Sequence, residues 1–328
     1  MNSSILFVTG GSGYVGRNLI RRLKADGHAV RSLVRSESAA AIVRALGAEP
    51  VQGDLLAPDI GESMIGCAAV IHAAADTDHR NSSPTQWQTN VEGTRNMLTA
   101  ASSVGVPAAI VLSSESALTT GAPLRRARED APYPSRPAGT YGASKAEAER
   151  VALALSSQKF AVKVLRPRFV WGRDNTTAMP YLLEAIRKGR FAWIDGGHYL
   201  TSATHVDNLA EAVCCALRHG AGGRIYHISD GAPVAFRRLI GAQLEAYGVD
   251  VPNKQVPRGL LRAFVALDDL SRALRLPFRA PMTRQEFASS AVEVTLDDSR
   301  ARSELGYRPV LTLEAGIAAL KAQVRAQA

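Results

Sequence analysis

The sequence predicts an α/β fold: a doubly wound parallel sheet with helices on both faces, and a smaller, interleaved lobe weighted toward the C-terminus. Three observations lead there. Short β-branched or apolar runs alternate with helical stretches through the first third of the chain. A glycine-rich loop falls directly between the first strand and the first helix. At 328 residues, with 46% hydrophobic and 21% charged side chains, the chain can build a large core domain plus a second lobe, and it is too apolar for wholesale disorder.

Each element follows from its pattern. Ile5–Thr9 reads as a strand and Tyr14–Asp26 as a helix; Ala29–Val34 is the second strand and Ser38–Leu46 the second helix. Glu49–Gln52 and Ala69–His72 are two more short strands, followed by a long helix, Thr89–Val104, and a fifth strand, Ala108–Leu112. Right-handed crossovers place the ligand crevice at the carboxyl ends of these strands. The plan continues with a helix at Tyr141–Leu155, a strand at Ala161–Leu165, a helix at Asn208–Arg218 and a strand at Arg224–Ile228. Residues 1–173, completed by about 204–230, therefore form the nucleotide-binding domain. Residues 174–203 and 231–328 lack sheet rhythm and are assigned mainly to a substrate-binding lobe.

Composition excludes several classes. No apolar run reaches the ~18 residues of a spanning helix, and no leader pattern precedes Ile5, so a cytoplasmic protein is expected. Cys67, Cys214 and Cys215 form neither a disulfide framework nor a metal pattern, so no metal is expected. The net charge of +9 comes from arginines spread along the chain without a nucleic-acid motif. A phosphorylated cofactor or an anionic substrate accounts for it, and no nucleic-acid partner is expected.

Thr9-Gly10-Gly11-Ser12-Gly13-Tyr14-Val15-Gly16 is the phosphate loop. Gly10, Gly13 and Gly16 permit the tight turn, the approach of a pyrophosphate and close helix–strand packing. Ser12, Tyr14 and Val15 share the helix start, whose free N–H groups attract the phosphates. The second strand runs out into Arg35 and Ser36, where an NAD site would carry an acid for the ribose hydroxyls. Arg35 can stack on adenine or pair with a 2′-phosphate, which favours NADP(H) over NAD(H); the alternative is a solvated arginine at a strand end.

Tyr141 and Lys145 stand four residues apart on one helical face. A lysine cation there stabilises the phenolate and lowers the tyrosine pKa toward working pH, and it can also bond the nicotinamide ribose. Ser113 and Ser114 follow the fifth strand at the crevice edge, where a hydroxyl can hold a substrate oxygen. Ser114 is preferred as the catalytic hydroxyl and Ser113 competes with it; both could instead cap a turn.

On these signatures the chain resembles the extended short-chain dehydrogenase/reductases over nearly its full length, with a Rossmann-type sheet. Gly53-Asp54-Leu55 is similar to the family's adenine-contacting turn, and His72-Ala73-Ala74-Ala75 to the stretch lining the cofactor. Asn90–Asn96 is similar to its central helix, in which Asn90 supports the active-site network and keeps a proton-relay water in place. Leu165–Gly172 matches a segment that includes Pro167 at the cofactor and usually carries Tyr where Trp171 stands. Thr204–Ala210 and Glu304–Pro309 match further segments. The resemblance also implies a homodimer, paired through the Tyr141–Lys145 helix and the long helix before it.

Two branches compete. Sugar-nucleotide epimerases and dehydratases hold NAD tightly and place an arginine where this chain reads Leu200–His205 without one. The other branch reduces ketones or oxidises secondary alcohols on bulky hydrophobic substrates, as 3β-hydroxysteroid dehydrogenase-like and dihydroflavonol reductase-like proteins do. Phe191–Gly197 and Pro281–Arg284 resemble the steroid group. The expectation is an NADP(H)-dependent ketone reductase with a hydrophobic small-molecule substrate; a cofactor-sensing binding module is a further alternative. In Arg258–Leu276, Leu260, Phe264, Leu267, Leu270 and Leu274 recur at helical spacing. Packing is the preferred reading of that stripe, ahead of a substrate lid. Attachment to an anionic membrane through Arg258, Arg262, Arg272 and Arg275 ranks last, so membrane contact is not expected. Arg125, Arg126 and Arg128 read as a solvated loop face beside Glu129 and Asp130.

Overall fold

The structure is a computed structural model, and it describes residues 4–79 and 84–327. The first half runs β1 (Ile5–Thr9), α1 (Tyr14–Ala25), β2 (Ala29–Val34), α2 (Glu37–Ala45), β3 (Glu49–Gln52), β4 (Ala69–His72), α3 (Pro84–Trp87), α4 (Gly93–Ser103) and β5 (Ala108–Leu112). It continues with β6 (Leu124–Ala127), α5 (Thr140–Ala154), β7 (Ala161–Pro167), β8 (Val170–Trp171), α6 (Ala178–Arg187), β9 (Trp193–Ile194), β10 (Leu200–Thr201) and β11 (Thr204–His205). The remainder is α7 (Val206–Arg218), β12 (Arg224–Ile228), β13 (Val234–Ala235), α8 (Phe236–Ala246), β14 (Gln255–Val256), α9 (Arg258–Ala273), α10 (Arg284–Ser290), β15 (Val294–Leu296), α11 (Ser299–Glu304) and α12 (Leu313–Gln327).

Seven strands form one parallel sheet in the order β12-β7-β5-β4-β1-β2-β3. Alternation along β1 explains why both faces are covered. Leu6 and Val8 pack with Leu19, Ile20 and Leu23 of α1 and Val213 of α7, while Phe7 points the other way toward Met97 and Leu98 of α4. The order of connection reverses between β1 and β4, so the loops after these two strands part and open the crevice.

The long helix expected over Thr89–Val104 carries a π-turn at Gln88–Glu92 before α4, and this turn buries Asn90. β7 runs two residues beyond the expected Leu165, to Pro167. The lobe contains sheet structure that no alternation announced: β13, β10, β15 and β6 form a second sheet from strands of two to four residues. β6 holds Arg125 and Arg126, so these belong to a lobe strand and not to a loop, with Arg125 paired to Glu293 at 2.9 Å. Trp171, in the place where Tyr is usual, donates its indole N–H to Asp230 at 2.7 Å.

The preferred reading of the Arg258–Leu276 stripe is corrected by the structure. Leu261, Val265 and Asp268 form the buried face of α9, and Leu260, Phe264, Leu267, Leu270 and Leu274 are exposed. Both sets recur at i, i+4 and i+7, and the neighbouring β-strands and α10 cover the former. Among the described residues no helix is long and apolar enough to cross a membrane.

Candidate active site

Backbone proximity fixes the phosphate loop. Gly10 has φ +71°, and a Cβ there would lie 2.7 Å from the Ala74 nitrogen. A Cβ on Gly16 would lie 2.0 Å from the Gly10 carbonyl oxygen, so the start of α1 presses directly on the loop. Gly11, which the spacing did not single out, is also required: its Cβ would meet the Ser32 hydroxyl at 2.1 Å. Gly13 caps α1 without a side chain, leaving the N–H groups of the first turn, including those of Tyr14 and Val15, free of side-chain caps at the crevice. Ser12 is half-buried beside them. The Tyr14 phenol is buried, and burial first, then Tyr247, Asp207, Asp174 and Asp230, push its pKa up.

At the outer end of the crevice, Gly53 N–H donates to Val34 O at 3.0 Å and sets the Asp54–Leu55 turn beside the end of β2. Asp54 Oδ1 accepts from Leu56 N–H at 2.8 Å, and the buried Leu55 has its carbonyl held by Asn96 at 2.7 Å. The Ser36 hydroxyl caps α2 by accepting from Ala39 N–H. Glu37, the next residue, is paired with Arg44. Arg35 is exposed and has no ion-pair partner among the described residues.

A buried hydrogen-bonded chain joins the loop to the Tyr141 helix. Thr9 Oγ1 meets His72 Nδ1 at 2.8 Å, and His72 Nε2 meets Thr94 Oγ1 at 2.9 Å. Thr94 donates to Asn90 O at 2.7 Å, and Asn90 Nδ2 reaches Ser144 Oγ and Asp76 O, each at 3.0 Å. Asn90 Oδ1 accepts from Asp76 N–H at 2.8 Å, and Ser144 donates to Tyr141 O at 2.9 Å. Asn90 thereby clamps the segment after Ala73, Ala74 and Ala75 to α5; Ala74 N–H itself donates to Thr9 Oγ1. Burial, reinforced by the Lys145 charge, holds His72 neutral with a pKa pushed down to about 3.

Tyr141 and Lys145 are both buried on α5. Lys145 Nζ donates to Leu112 O at 2.7 Å, and burial, opposed by Glu149, lowers its pKa to about 8. The expected lowering of the Tyr141 pKa is not what the protein alone produces. Burial and then the Glu115 carboxylate push it up, while a hydrogen bond with Ser114 opposes them. The physical reason is first that the phenol is buried, with the Glu115 charge adding to the effect, whereas the lysine ammonium donates to the β5 carbonyl.

The Ser113 hydroxyl is buried and has no partner among the described residues. Ser114 Oγ donates to Glu115 Oε2 at 2.8 Å, and Glu115 Oε1 accepts from buried Arg168 at 2.9 Å. The His79 ring lies over Tyr141 with centroids 4.6 Å apart. Glu115, Arg168 and His79 went unread in the sequence as site residues. Glu115 directly follows Ser114, which was a usable signal; nothing marked His79.

A glycine loop at a sheet switch point, leading along a buried chain to a phenol and an ammonium, defines a Rossmann-type dinucleotide-binding protein of the short-chain dehydrogenase/reductase class. Residues 6–229 match the NAD dependent epimerase/dehydratase family. The chain belongs to that family, within the extended short-chain dehydrogenase/reductases. It is 43% identical, over 96% of its length and 95% of the relative's, to the 4-hydroxy-2-methyl-3-oxo-4-farnesyl-3,4-dihydroquinoline-1-oxide ketoreductase of Stigmatella aurantiaca. It is 30% identical to a decarboxylating sterol-4-alpha-carboxylate 3-dehydrogenase of Dictyostelium discoideum, over 95% of this chain and 98% of that one. Among solved structures, gox2253 superposes with a TM-score of 0.77 at 29% identity, covering 98% of this chain and 99% of its own.

Proposed function

We propose that this chain is an NADP(H)-dependent oxidoreductase that interconverts a ketone and a secondary alcohol on a bulky hydrophobic substrate. The observation that carries the reading is the placement of buried Tyr141 and Lys145 one turn apart on α5, with Lys145 Nζ on the last carbonyl of β5 at 2.7 Å, where Ser113 and Ser114 follow at the carboxyl edge of the sheet. The relatives' ketoreductase and sterol dehydrogenase activities support the substrate class.

The crevice fits a dinucleotide, because side chains at Gly10 and Gly16 would strike backbone where the loop must stay thin. The α1 N-terminus would hold its pyrophosphate, Asp54 and Leu55 its adenine, and Ala73–Ala75, Lys145 and Pro167 its inner half. Arg35, free of ion pairs among the described residues, would meet a 2′-phosphate, with Ser36 beside it. When bound between these residues, NADP(H) would supply the hydride for the substrate carbon or accept it from there. Tyr141 gives its phenolic proton to the carbonyl oxygen, or takes it back from the alcohol. Ser114 holds that oxygen, which requires its hydroxyl to turn from Glu115 toward the substrate. Lys145 stabilises the phenolate that remains, and Asn90 keeps α5 in register and positions a relay water. Pairing of two chains through α4 and α5, and a cytoplasmic location, complete the reading.

The test is nicotinamide absorbance with NADPH or NADH against hydrophobic ketones, steroids and UDP-sugars, beside a Tyr141→Phe variant. NADPH-dependent turnover of a ketone, lost in the variant, is expected. Silence on every ketone with NAD retained through purification would replace this reading with a sugar-nucleotide epimerase or dehydratase.

A further inference from the structure

Helix α9 keeps an apolar ridge in water. Leu260, Phe264, Leu267, Leu270 and Leu274 are exposed along it, and Leu276 and Phe278 continue the ridge past its end. The base is fixed: Leu261 and Val265 are buried beneath, and Ser271 Oγ donates to Leu276 O and Phe278 O at 3.0 and 3.1 Å. The Phe264 and Phe278 rings lie 6.4 Å apart, so the chain after α9 folds back and widens the same face.

The charge around the ridge has one sign. Residues 258–284 hold six arginines and two aspartates, a local +4 within the chain's +9. Both aspartates are taken, Asp268 by Arg272 and Asp269 by Arg284, and Arg258 pairs with Asp195. Arg262 and Arg275 have no side-chain partner among the described residues, and Arg279 bonds the carbonyls of Leu276 and Phe278.

We propose that this face anchors the protein to an anionic phospholipid bilayer. The leucines and phenylalanines enter the headgroup–acyl boundary while Arg262, Arg275 and Arg279 meet lipid phosphates. A second copy seated on the ridge would bring these arginines against their own like, and an anionic surface satisfies both features together. The anchor adjoins the site: the Thr283 hydroxyl, at the start of α10, donates to His79 O at 3.0 Å, and His79 lies on Tyr141. An apolar ketone dissolved in the bilayer would then enter from this side, a consequence that rests on the reductase reading, whereas the anchor itself does not.

Co-sedimentation of the full chain with phosphatidylcholine vesicles, plain or mixed with phosphatidylglycerol, tests the anchor without any enzymatic readout. The three arginines predict a partition coefficient roughly ten- to a hundredfold higher on the mixed vesicles, falling with added salt. Leu267→Ser with Leu270→Ser should lower it about tenfold or more at unchanged melting temperature, because both side chains already face water. Arg262→Gln with Arg275→Gln should remove most of the preference for the anionic vesicles. Retention in the supernatant with both vesicles, or equal partition onto both, would overturn the proposal. So would a dimer seen by light scattering that the paired leucine substitutions dissociate, which would give the ridge to a second copy.

Discussion

Lys145 and Arg168 are buried at the crevice, each held by a named oxygen, whereas Arg262 on α9 and Arg275 just past its end stand in water beside apolar side chains. In the crevice the cost of burying charge is offset by close hydrogen bonds. In return, the low dielectric lets the Glu115 charge act strongly on the neighbouring phenol of Tyr141. Along α9 the chain exposes apolar carbon that folding alone would bury, with cations left single around it. A surface of that kind is informative because it stabilises nothing within the chain itself. The comparison locates chemistry where polar groups are buried and contact with another phase where apolar groups are exposed.

The strongest way to break it is at Tyr141. Tyr141→Phe should lower the ketone reduction rate about 10²- to 10⁴-fold while the dissociation constant for NADPH, read by fluorescence, changes little. A variant that turned over normally would remove the phenol from the chemistry. Next comes the buried pair: Glu115→Ala should cost about 3–5 kcal/mol in urea unfolding, because Arg168 keeps its charge without the carboxylate. Combining it with Arg168→Met should recover much of that loss. If the single variant were as stable as the parent, the crevice would not be the low-dielectric region described.

Lys145 supplies a pH test. Its folded pKa of about 8 lies below the ordinary 10.5, so the unfolded chain binds more protons between those values. The penalty is complete below pH 8 and is relieved as pH rises to 10.5, so stability should climb by about 3 kcal/mol across that window relative to Lys145→Met, which has no such group. Parallel parent and variant profiles would show that Lys145 is solvated. A smaller effect is expected at Arg35, where Arg35→Ala should raise the KM for NADPH about tenfold or more and leave NADH unchanged, measured by initial rates. Equal losses with both cofactors would assign Arg35 to adenine stacking. The smallest belongs to the ridge: Leu267→Ser should shift unfolding stability by less than about 0.5 kcal/mol. A larger loss would mean that the ridge packs within the chain after all.

Much of this was legible because it is local. Ile5–Thr9, Ala69–His72 and Ala108–Leu112 announce themselves by composition and length, since a strand covered on both faces is largely apolar. The lobe strands were not legible: Leu200–Thr201 or Val234–Ala235 is too short to show any alternation, and pairing alone defines it. The sequence marks Ser36 only as a cofactor residue at the end of the second strand, and its cap on α2 becomes visible only from the position of Ala39 N–H.

The sequence by itself determined the succession of the core strands and helices, the thin glycine loop and the shared face of Tyr141 and Lys145, because each is set by covalent spacing within a few residues. Tertiary structure decided the rest. It buried the Tyr14 phenol, brought Glu115 and Arg168 together, and covered Leu261 while leaving Leu260 exposed. Helical periodicity shows that a helix has an apolar side, but a neighbour from elsewhere in the chain decides which side is covered. Likewise the pKa of a phenol depends on every charge within several ångströms, most of them distant in sequence.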